Sequence, residues 1–483
     1  MSASGTFSNQ DAGQSERQTV WPFDALDSIY LGYHSKPGAA ETTLPLTCSD
    51  TRHLLLFGPS GSGKGTRLLV PNLLTIDDRS VIVVDPKGEL TAITAAYRAT
   101  LGQVVVLNPF GVLDLPGSGF NPLASLDPNS ATFFDDAAGL GEALIKVEKE
   151  EEPHWPQSAQ GLLVALIMWE VKVARSEKRP PLLENVRRLM TEPDEWKDGK
   201  RARGLKVTIA EMCDKGGFQI ESLAARFLRD NDEIASIRST ADRHTWWILS
   251  EPMRENLKVD GINFADLKKQ AMTVYVILPA ERMRTHSPWL RLVVESALRS
   301  LYSPGGLLTT MILDEFAQLG RLGPIEDAFG LVRGYGVQIW PVLQDLTQLK
   351  QLYSERWETF CANAFAVAGY APNDLTTAEW MSKRSGDRTE VVLGYNTGDG
   401  SSGRGASTNQ GMGYQQVGRP RFMPQELMDF RKGSGLIFVA GSAKTIPFNA
   451  PDYWDIPLLK SRAQPNPYYE LRNKKPERQS RSG

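Results

Sequence analysis

The chain has 483 residues, a formal net charge of −3 at pH 7 and 41% hydrophobic residues, which is typical of a globular protein of two or three domains. This balance of charge excludes a protein that coats nucleic acid over its whole surface, so any contact with a polyanion must be local. The three cysteines and five histidines are dispersed and support neither a disulfide framework nor a zinc site. We therefore expect a protein of the reducing cytoplasm.

The chain contains no apolar segment long enough to span a membrane. Its longest apolar run, from Leu162 to Trp169, is far shorter than the roughly 20 residues that cross a bilayer. Residues 1–18 are rich in Ser, Gly and Gln, so they predict neither a signal peptide nor an anchor. We expect residues 1–50 to be a lead-in that is partly disordered.

A glycine-rich loop follows the first predicted strand and precedes another apolar run. It consists of Gly58, Pro59, Ser60, Gly61, Ser62, Gly63, Lys64, Gly65 and Thr66. Glycines allow consecutive backbone N–H groups to face one anion, the next helix adds its positive N-terminus, and a lysine reaches the terminal phosphates. The order of strand, glycines, lysine and helix favours a nucleoside triphosphate site over a plain surface turn.

One position departs from the general pattern of such loops. The residue after the lysine, usually a Ser or Thr that binds Mg²⁺, is Gly65, and Thr66 comes one residue late. One residue corresponds to a rotation of roughly 100° around a helix, which weakens Thr66 as a metal ligand. We keep Thr66 as a candidate and expect carboxylates and water to supply the other ligands.

Short apolar or β-branched runs alternate with helical stretches, and this alternation predicts an α/β fold with a predominantly parallel sheet. The predicted strands are residues 53–57, 80–84, 104–107, 273–278, 310–313, 337–343, 364–368 and 436–440. Ligands of such sheets bind at the carboxyl ends of the strands. The glycine-rich loop and the acidic residues after position 313 are therefore expected to share one site.

The strand pattern is interrupted between residues 126 and 257, where helical periodicity takes over at 157–173, 182–190 and 220–228. We predict an inserted all-α domain at 126–257. The nucleotide-binding domain is then discontinuous, comprising residues 51–125 and 258–460.

Two polar segments are predicted to be poorly ordered. Residues 394–418 are dominated by Gly, Ser, Asn and Gln, and the basic C-terminal tail, residues 461–483, has few apolar groups. The tail has two interpretations, a docking segment or a solvated end, and the second is favoured.

Two groups within the insertion have both a functional and a structural interpretation. Trp246 and Trp247 are expected to be core aromatics, with stacking on bases as the alternative. A run of basic residues either contacts DNA phosphates or, as favoured here, forms a solvated helix face. The run consists of Lys197, Lys200, Arg201, Arg203 and Lys206.

The acidic pair Asp314 and Glu315 ends a predicted strand. This pattern fits an Asp314 that organises a metal and a Glu315 that polarises water for attack on a γ-phosphate, although such a pair also occurs by chance. Arg333, flanked by glycines, is a candidate arginine finger or a solvated turn residue. Gln344, which follows the strand 337–343, is a candidate γ-phosphate sensor or a strand cap.

At these residues the chain resembles the coupling ATPases of conjugation and type IV secretion, the TraG-type family of hexameric RecA-like motors, from about residue 50 to residue 455. The family ordinarily has a residue such as Gly65 after the lysine. The other matching segments are Asp85-Pro86-Lys87-Gly88-Glu89, Asn121-Pro122-Leu123, Leu313-Asp314-Glu315-Phe316, Arg333-Gly334-Tyr335-Gly336, Gln344-Asp345-Leu346-Thr347-Gln348-Leu349 and Ala371-Pro372-Asn373-Asp374.

The resemblance implies a RecA-like P-loop fold that uses ATP and Mg²⁺ in a homo-hexamer. Lys64 would bind the β- and γ-phosphates, Asp314 the metal and Glu315 the attacking water. Arg333 would reach the neighbouring subunit's nucleotide, and Gln344 would pass the γ-phosphate signal to the pore. The inserted helices would face the relaxosome. The family generally begins with transmembrane helices, which are not expected here.

The resulting hypothesis is a DNA-dependent ATPase and DNA translocase. It would couple relaxase-bound single-stranded DNA to a type IV secretion channel. Its location would be cytoplasmic, or peripheral at the inner membrane through a channel component or an anchor protein. The alternatives are a nucleotide-switched docking receptor for secreted proteins and a soluble DNA pump without a secretion channel.

Overall fold

The computed structural model describes residues 28–35, 45–145, 154–198, 200–229, 232–402 and 405–469. Its strands are β1 (Ile29–His34), β2 (Pro45–Cys48), β3 (His53–Phe57), β4 (Ser80–Val84), β5 (Gln103–Leu107), β6 (Glu195–Lys197), β7 (Lys200–Arg203), β8 (Met272–Val276), β9 (Thr309–Leu313), β10 (Val337–Leu343), β11 (Ala364–Tyr370), β12 (Asp387–Ser402), β13 (Gly405–Pro420), β14 (Ser434–Val439) and β15 (Thr445–Asn449). Its α-helices are α1 (Val70–Leu73), α2 (Glu89–Leu101), α3 (Phe133–Leu144), α4 (His154–Ser176), α5 (Leu183–Thr191), α6 (Leu205–Lys215), α7 (Phe218–Ala224), α8 (Asp232–Thr245), α9 (Glu251–Lys258), α10 (Ala280–Leu301), α11 (Gly323–Leu331), α12 (Leu346–Tyr353), α13 (Trp357–Asn363), α14 (Leu375–Arg384), α15 (Pro424–Met428) and α16 (Pro457–Arg462).

In the described part of the chain, eleven strands form one large sheet in the order β2-β1-β15-β14-β11-β3-β10-β9-β4-β8-β5. The strands from β11 to β5 run parallel, and those from β14 to β2 are antiparallel. The predicted α/β class with a predominantly parallel sheet is confirmed. All eight predicted strands are present, as β3, β4, β5, β8, β9, β10, β11 and β14.

The antiparallel edge includes part of the expected lead-in. Within the expected lead-in, residues 1–50, β1 and β2 are ordered edge strands of the sheet, and β1 pairs with β15. β1, β2 and β15 are short and interrupted by polar or small residues, so only pairing with the preformed sheet makes them strands. Residues 1–27 and 36–44 lie outside the described part.

The sheet is buried on both faces, which explains the continuous apolar runs of its parallel strands. In β3, Leu55 and Phe57 join one hydrophobic cluster, whereas Leu54 and Leu56 join the cluster on the opposite face. The first cluster continues into the helices that follow β5, and the second contains the helix that begins at Lys64. The glycine-rich loop is therefore anchored between a buried strand and a buried helix.

Helices α3 to α9 lie between β5 and β8, in the segment predicted to be an inserted helical domain. The predicted helices at 157–173, 182–190 and 220–228 correspond to α4, α5 and α7 with a following 3-10 turn. The segment also contains the hairpin β6-β7, which was not predicted. The domain boundaries at 126 and 257 stay a prediction.

Three details of the polar segments differ from expectation. Trp247 is 2% exposed, as expected of a core aromatic, but Trp246 is 57% exposed. Most of the basic run belongs to the hairpin β6-β7 and not to a helix face, and Lys197 and Arg203 are exposed there. Of residues 394–418, expected to be poorly ordered, residues 394–402 and 405–418 lie in the antiparallel ribbon β12-β13, because paired backbones can form strands without apolar side chains, and residues 403–404 lie outside the description.

No helix within the described residues is long and apolar enough to span a bilayer. The basic tail begins in α16 and is described as far as residue 469, and residues 470–483 lie outside the description.

Candidate nucleotide-binding site

Four neighbouring parallel strands have their carboxyl ends on the same side of the sheet, and three of them are followed by polar residues. In spatial order, β3 is followed by Gly58, β10 by Gln344, β9 by Asp314 and β4 by Asp85. The backbone N–H of Asp314 donates to the carbonyl of Val84 at 3.2 Å, so the ends of β9 and β4 are in register. Segments that are distant in sequence thus meet at one site, as predicted for the carboxyl ends of parallel strands.

The glycine-rich loop has the conformation of an anion cradle. Gly61 and Gly63 have φ angles of +82° and +96°, in the region that favours glycine. A Cβ atom at Gly58 would lie 2.7 Å from Oγ of Ser62 and 2.9 Å from Cδ2 of Tyr370. The loop therefore requires these glycines for its shape, and the helical turn Lys64–Leu69 follows it directly.

Two polar groups of this loop fit a phosphate ligand. The Lys64 ammonium is buried and donates to the carbonyls of Gly58 and, at 3.5 Å, of Pro59. Burial lowers the pKa of Lys64, and the nearby carboxylates of Asp314 and Glu315 oppose that shift. The buried Oγ of Ser62 has no hydrogen-bond partner. A phosphate oxygen would satisfy both groups, so the residues present fit a nucleotide.

The acidic pair lies opposite the lysine, and Gln344 touches it. Nε2 of Gln344 donates to Oε2 of Glu315 at 3.1 Å, and the N–H of Glu315 donates to Oδ1 of Asp314 at 3.0 Å. Desolvation, with the neighbouring charge of Glu315, raises the pKa of Asp314 to about 7. Glu315 has a left-handed backbone (φ +50°) that is uncommon for a glutamate. A cation at Asp314 would relieve the repulsion within the pair.

Two further residues belong to this site, although they were predicted only as part of a segment that matches the family. Asp85 is buried, and its Oδ2 accepts hydrogen bonds from the N–H and the hydroxyl of Thr91 at 2.8 and 2.7 Å. Burial raises the pKa of Asp85 to about 6. The Lys87 ammonium lies 3.7 Å from Oε1 of Glu315. The only sequence signal for them is their position after a predicted strand.

Thr66 forms its hydrogen bond with Asp452 and not with the acidic pair. Its hydroxyl donates to Oδ1 of Asp452 at 2.6 Å, and Arg67 binds the other oxygen of that carboxylate at 2.7 Å. A Cβ atom at Gly65 would contact only Cδ2 of Leu90, at 3.9 Å, so a serine would fit there. Thr66 as a metal ligand stays a prediction, and its bond to Asp452 argues against it.

Arg333 lies at the other end of the sheet. Its backbone forms part of the 3-10 turn Val332–Tyr335, directly before β10, and Val337 of β10 is aligned with Thr309 of β9. Because β9 and β10 are parallel, this turn and the acidic pair are separated by the five residues of β9, or about 16 Å at about 3.3 Å per residue. The structure therefore does not group Arg333 with Lys64.

The family model for type IV secretory system conjugative DNA transfer matches residues 28–475 of the chain. The chain belongs to this family. Among relatives of the chain, TraG of Escherichia coli is 26% identical over 450 residues, which cover 85% of the chain and 68% of TraG. TraG of Agrobacterium fabrum is 27% identical over 82% of the chain and 60% of the relative. VirD4 of the same organism is 25% identical over 71% of the chain and 51% of VirD4.

The chain thus spans about half to two thirds of the length of these relatives. Among solved structures, the plasmid coupling protein TrwB in complex with ADP and Mg²⁺ matches the chain with a TM-score of 0.63 at 18% identity. The match covers 90% of the chain and 97% of TrwB. This likeness confirms the predicted α/β P-loop fold, and the family model confirms the predicted family.

Proposed function

We propose that this protein is an ATP-hydrolysing coupling protein that delivers relaxase-bound single-stranded DNA to a type IV secretion channel. The observation that carries the proposal is the convergence of Lys64, Glu315 and Gln344 on the glycine-rich cradle, within a chain of the conjugative DNA transfer family. Relatives named for conjugal transfer, and TrwB solved with ADP and Mg²⁺, support both the ligand and the process.

The site residues divide into four roles. Lys64 and the loop N–H groups bind the β- and γ-phosphates, and Asp314 anchors Mg²⁺, which neutralises phosphate charge when bound. Glu315 orients the attacking water and accepts its proton. Gln344, bonded to Glu315 at 3.1 Å, links the state of the γ-phosphate to β10. Thr66, whose hydroxyl donates to Asp452 at 2.6 Å, has no metal-binding role in this proposal.

Arg333 acts in this proposal on the nucleotide of a neighbouring copy. Its turn lies at the amino end of β10, whereas the Lys64 cradle of the same chain lies at the carboxyl end of the neighbouring strand. An arginine finger contributes about 10³ to 10⁵ in rate, so hydrolysis depends on assembly. We propose a homo-hexamer as the active form.

The partners follow from the same proposal. The helical insertion would contact the relaxosome, and the exposed hairpin β6-β7 would add local positive charge for DNA phosphates. A channel component or an anchor protein would hold the assembly at the inner membrane.

The test is ATP turnover by the purified full chain with Mg²⁺, with and without single-stranded DNA. Wild-type protein is expected to hydrolyse ATP, with stimulation by DNA. Lys64→Ala removes phosphate binding and Glu315→Gln removes the base, so each is expected to lower turnover at least about a hundredfold. Glu355→Gln, an exposed glutamate between α12 and α13, is the control and is expected to leave turnover unchanged.

Three outcomes decide between the functions. DNA-stimulated hydrolysis that depends on Lys64 and Glu315 supports the translocase. Hydrolysis that DNA does not change would favour the nucleotide-switched docking receptor. Wild-type protein that releases no phosphate at high protein concentration with Mg²⁺ and DNA contradicts the proposal.

A further inference from the structure

The last described residues of the chain lie against the loop that connects β4 to α2. We name residues 464–469 the C-terminal strap. The N–H of Gln464 donates to the carbonyl of Ile93 at 2.9 Å, and Nδ2 of Asn466 donates to Oε1 of Glu89 at 2.7 Å. The hydroxyl of Tyr468 donates to the carbonyl of Lys87 at 2.8 Å. Three contacts thus follow the loop and the first turn of its helix.

The strap has a defined conformation of its own. Oδ1 of Asn466 accepts the N–H groups of Tyr468 at 2.9 Å and of Tyr469 at 3.3 Å, which is the local turn that asparagine favours. The ring of Tyr469 lies 6.0 Å from that of Trp454. These contacts fix where the Tyr468 hydroxyl lies relative to the loop.

The loop itself is anchored at both ends but leaves the Lys87 side chain accessible. Asp85 is held by Thr91, and Gly88 has a φ of +68°, which turns the chain into α2. Between them, the side chain of Lys87 is 57% exposed and its ammonium lies 3.7 Å from Oε1 of Glu315. The Glu315 side chain is only 10% exposed, but the 3.7 Å separation and the exposed Lys87 side chain allow the ammonium to exchange Glu315 for another anion.

Lys87 and the lysine of the glycine-rich loop are both near Glu315, Lys87 through the 3.7 Å contact and Lys64 through the electrostatic effect of that carboxylate. The positive charge of Lys87 adds to the lowering of the Lys64 pKa. Two ammonium groups that approach one site from different loops repel each other, and an anion between them removes that repulsion. The terminal phosphate of a nucleoside triphosphate would supply such an anion, because the proposed role of Glu315 in orienting the attacking water puts that phosphate near this carboxylate.

We propose that Lys87 is a further catalytic residue that binds the terminal phosphate of the nucleoside triphosphate, and that Tyr468 is the positioning residue that holds the Lys87 backbone. This inference rests on the proposed function. On triphosphate binding Lys87 transfers from Glu315 to the phosphate, and Glu315 becomes free to orient water. The strap thereby makes residues near the C-terminus part of the nucleotide site.

The first experiment measures binding, which does not depend on turnover. A non-hydrolysable ATP analogue and ADP are titrated into full-length wild-type, Lys87→Met and Lys64→Ala proteins with Mg²⁺. Lys87→Met is expected to weaken the analogue about ten- to a hundredfold and ADP less than about twofold, since ADP lacks the terminal phosphate. Lys64→Ala is expected to weaken both ligands. Equal weakening of both ligands by Lys87→Met, or no weakening, overturns the role of Lys87.

The second experiment tests positioning with a matched pair of tyrosines. Tyr468→Phe removes the hydroxyl that binds the loop, whereas Tyr469→Phe removes the hydroxyl of a tyrosine that packs on Trp454. We expect Tyr468→Phe to weaken the analogue about two- to tenfold, with no change for ADP, and Tyr469→Phe to change neither. In the Lys87→Met background Tyr468→Phe should add no further loss. Additive losses, or equal losses for both ligands, show a merely structural strap.

Different results would contradict the proposed function and the roles of Lys87 and Tyr468. Wild-type protein that binds neither ligand overturns the proposed function and the inference with it. Wild-type protein that binds both ligands and hydrolyses ATP, with Lys87→Met indistinguishable from it, overturns the inference alone.

Discussion

Both ends of the parallel sheet bury polar groups. The cluster around Gln338 at the amino end and the cluster around Lys64 at the carboxyl end differ in how many of their polar atoms have hydrogen-bond partners. At the amino end, Gln338 is fully buried and its side chain is bonded on both sides. Nε2 donates to the carbonyls of Asp50 and Arg52 at 3.0 and 2.9 Å, and Oε1 accepts from Thr310 at 3.2 Å and Arg79 at 3.4 Å. The polar groups around Gln338 form a satisfied network that joins strands, although the buried hydroxyl of Thr309 at the same end has no hydrogen-bond partner.

At the carboxyl end some polar groups lack a partner and charges of both signs are collected in one place. Ser62 Oγ has no hydrogen-bond partner, the charge of Lys87 adds to the lowering of the Lys64 pKa, and Asp314 lies beside Glu315. Folding alone gives no reason to collect such groups, since each arrangement destabilises the protein. The comparison teaches that the cluster around Gln338 is held together by its own hydrogen bonds, whereas the cluster around Lys64 leaves polar groups available to a ligand.

The largest effect on turnover is expected from Arg333, which lies at the amino end of the sheet and acts in the proposal on a nucleotide at the carboxyl end of a neighbouring copy. Arg333→Ala is expected to lower turnover about 10³-fold or more and to leave nucleotide affinity unchanged, because the finger contacts the neighbour's transition state. Steady-state hydrolysis and analogue binding measure the two quantities. Mixing Arg333→Ala with Lys64→Ala protein should restore part of the activity. At some subunit interfaces the intact Lys64 of one copy then meets the intact Arg333 of its neighbour. A mixture as inactive as its components speaks against action between copies.

At the carboxyl end, Gln344→Ala is expected to lower turnover about ten- to a hundredfold, because Glu315 loses the donor that orients it. Gln348→Ala should have a smaller effect, as its Oε1 holds only the backbone N–H of Gln344, at 3.0 Å. Turnover rates and analogue affinities of both variants check this order. A greater loss of turnover in Gln348→Ala than in Gln344→Ala would indicate that Gln344 is only a strand cap.

At the amino end, Gln338→Leu should affect stability without affecting chemistry. It leaves buried carbonyls without a donor, so the free energy of unfolding is expected to fall by about 1 to 3 kcal/mol. Denaturant unfolding measures this loss, and analogue affinity at low denaturant serves as the control. A change in nucleotide affinity greater than about twofold would show that the two ends are coupled.

The smallest effect is expected from Ser62→Ala. In contrast to Gln338→Leu, this variant should change nucleotide affinity and leave stability nearly unchanged. Because Oγ of Ser62 is buried without a partner, its removal should change the free energy of unfolding by less than about 0.5 kcal/mol. Analogue affinity should fall about two- to fivefold, since one phosphate donor is lost. Unfolding and titration under the same buffer check both, and a clear loss of stability with unchanged affinity would assign Ser62 to the structural class.

Much of the fold could be predicted because the parallel strands are buried on both faces and therefore form continuous apolar runs. β12 and β13 could not, since they lack apolar periodicity and are defined by their pairing. Trp246 and Trp247 show a second limit. Adjacent aromatics look alike in the sequence, but a 3-10 turn sends one into the core and leaves the other exposed.

For the site, the residues with a local signature could be predicted, whereas those recruited by distance could not. Lys64 stands in a glycine-rich loop, and Asp314 and Glu315 end an apolar strand. Lys87 gains its importance from its 3.7 Å approach to Glu315, and Tyr468 from a carbonyl 381 positions away.

By itself, the sequence determined the strand-forming runs, the phosphate loop and the family, because each depends on residues that are neighbours in the chain. The tertiary structure alone decided which polar groups share a site, that Thr66 binds Asp452, and that Arg333 lies at the far end of the sheet. The physical reason is that strand order and direction, and not chain order, determine which ends of the strands meet.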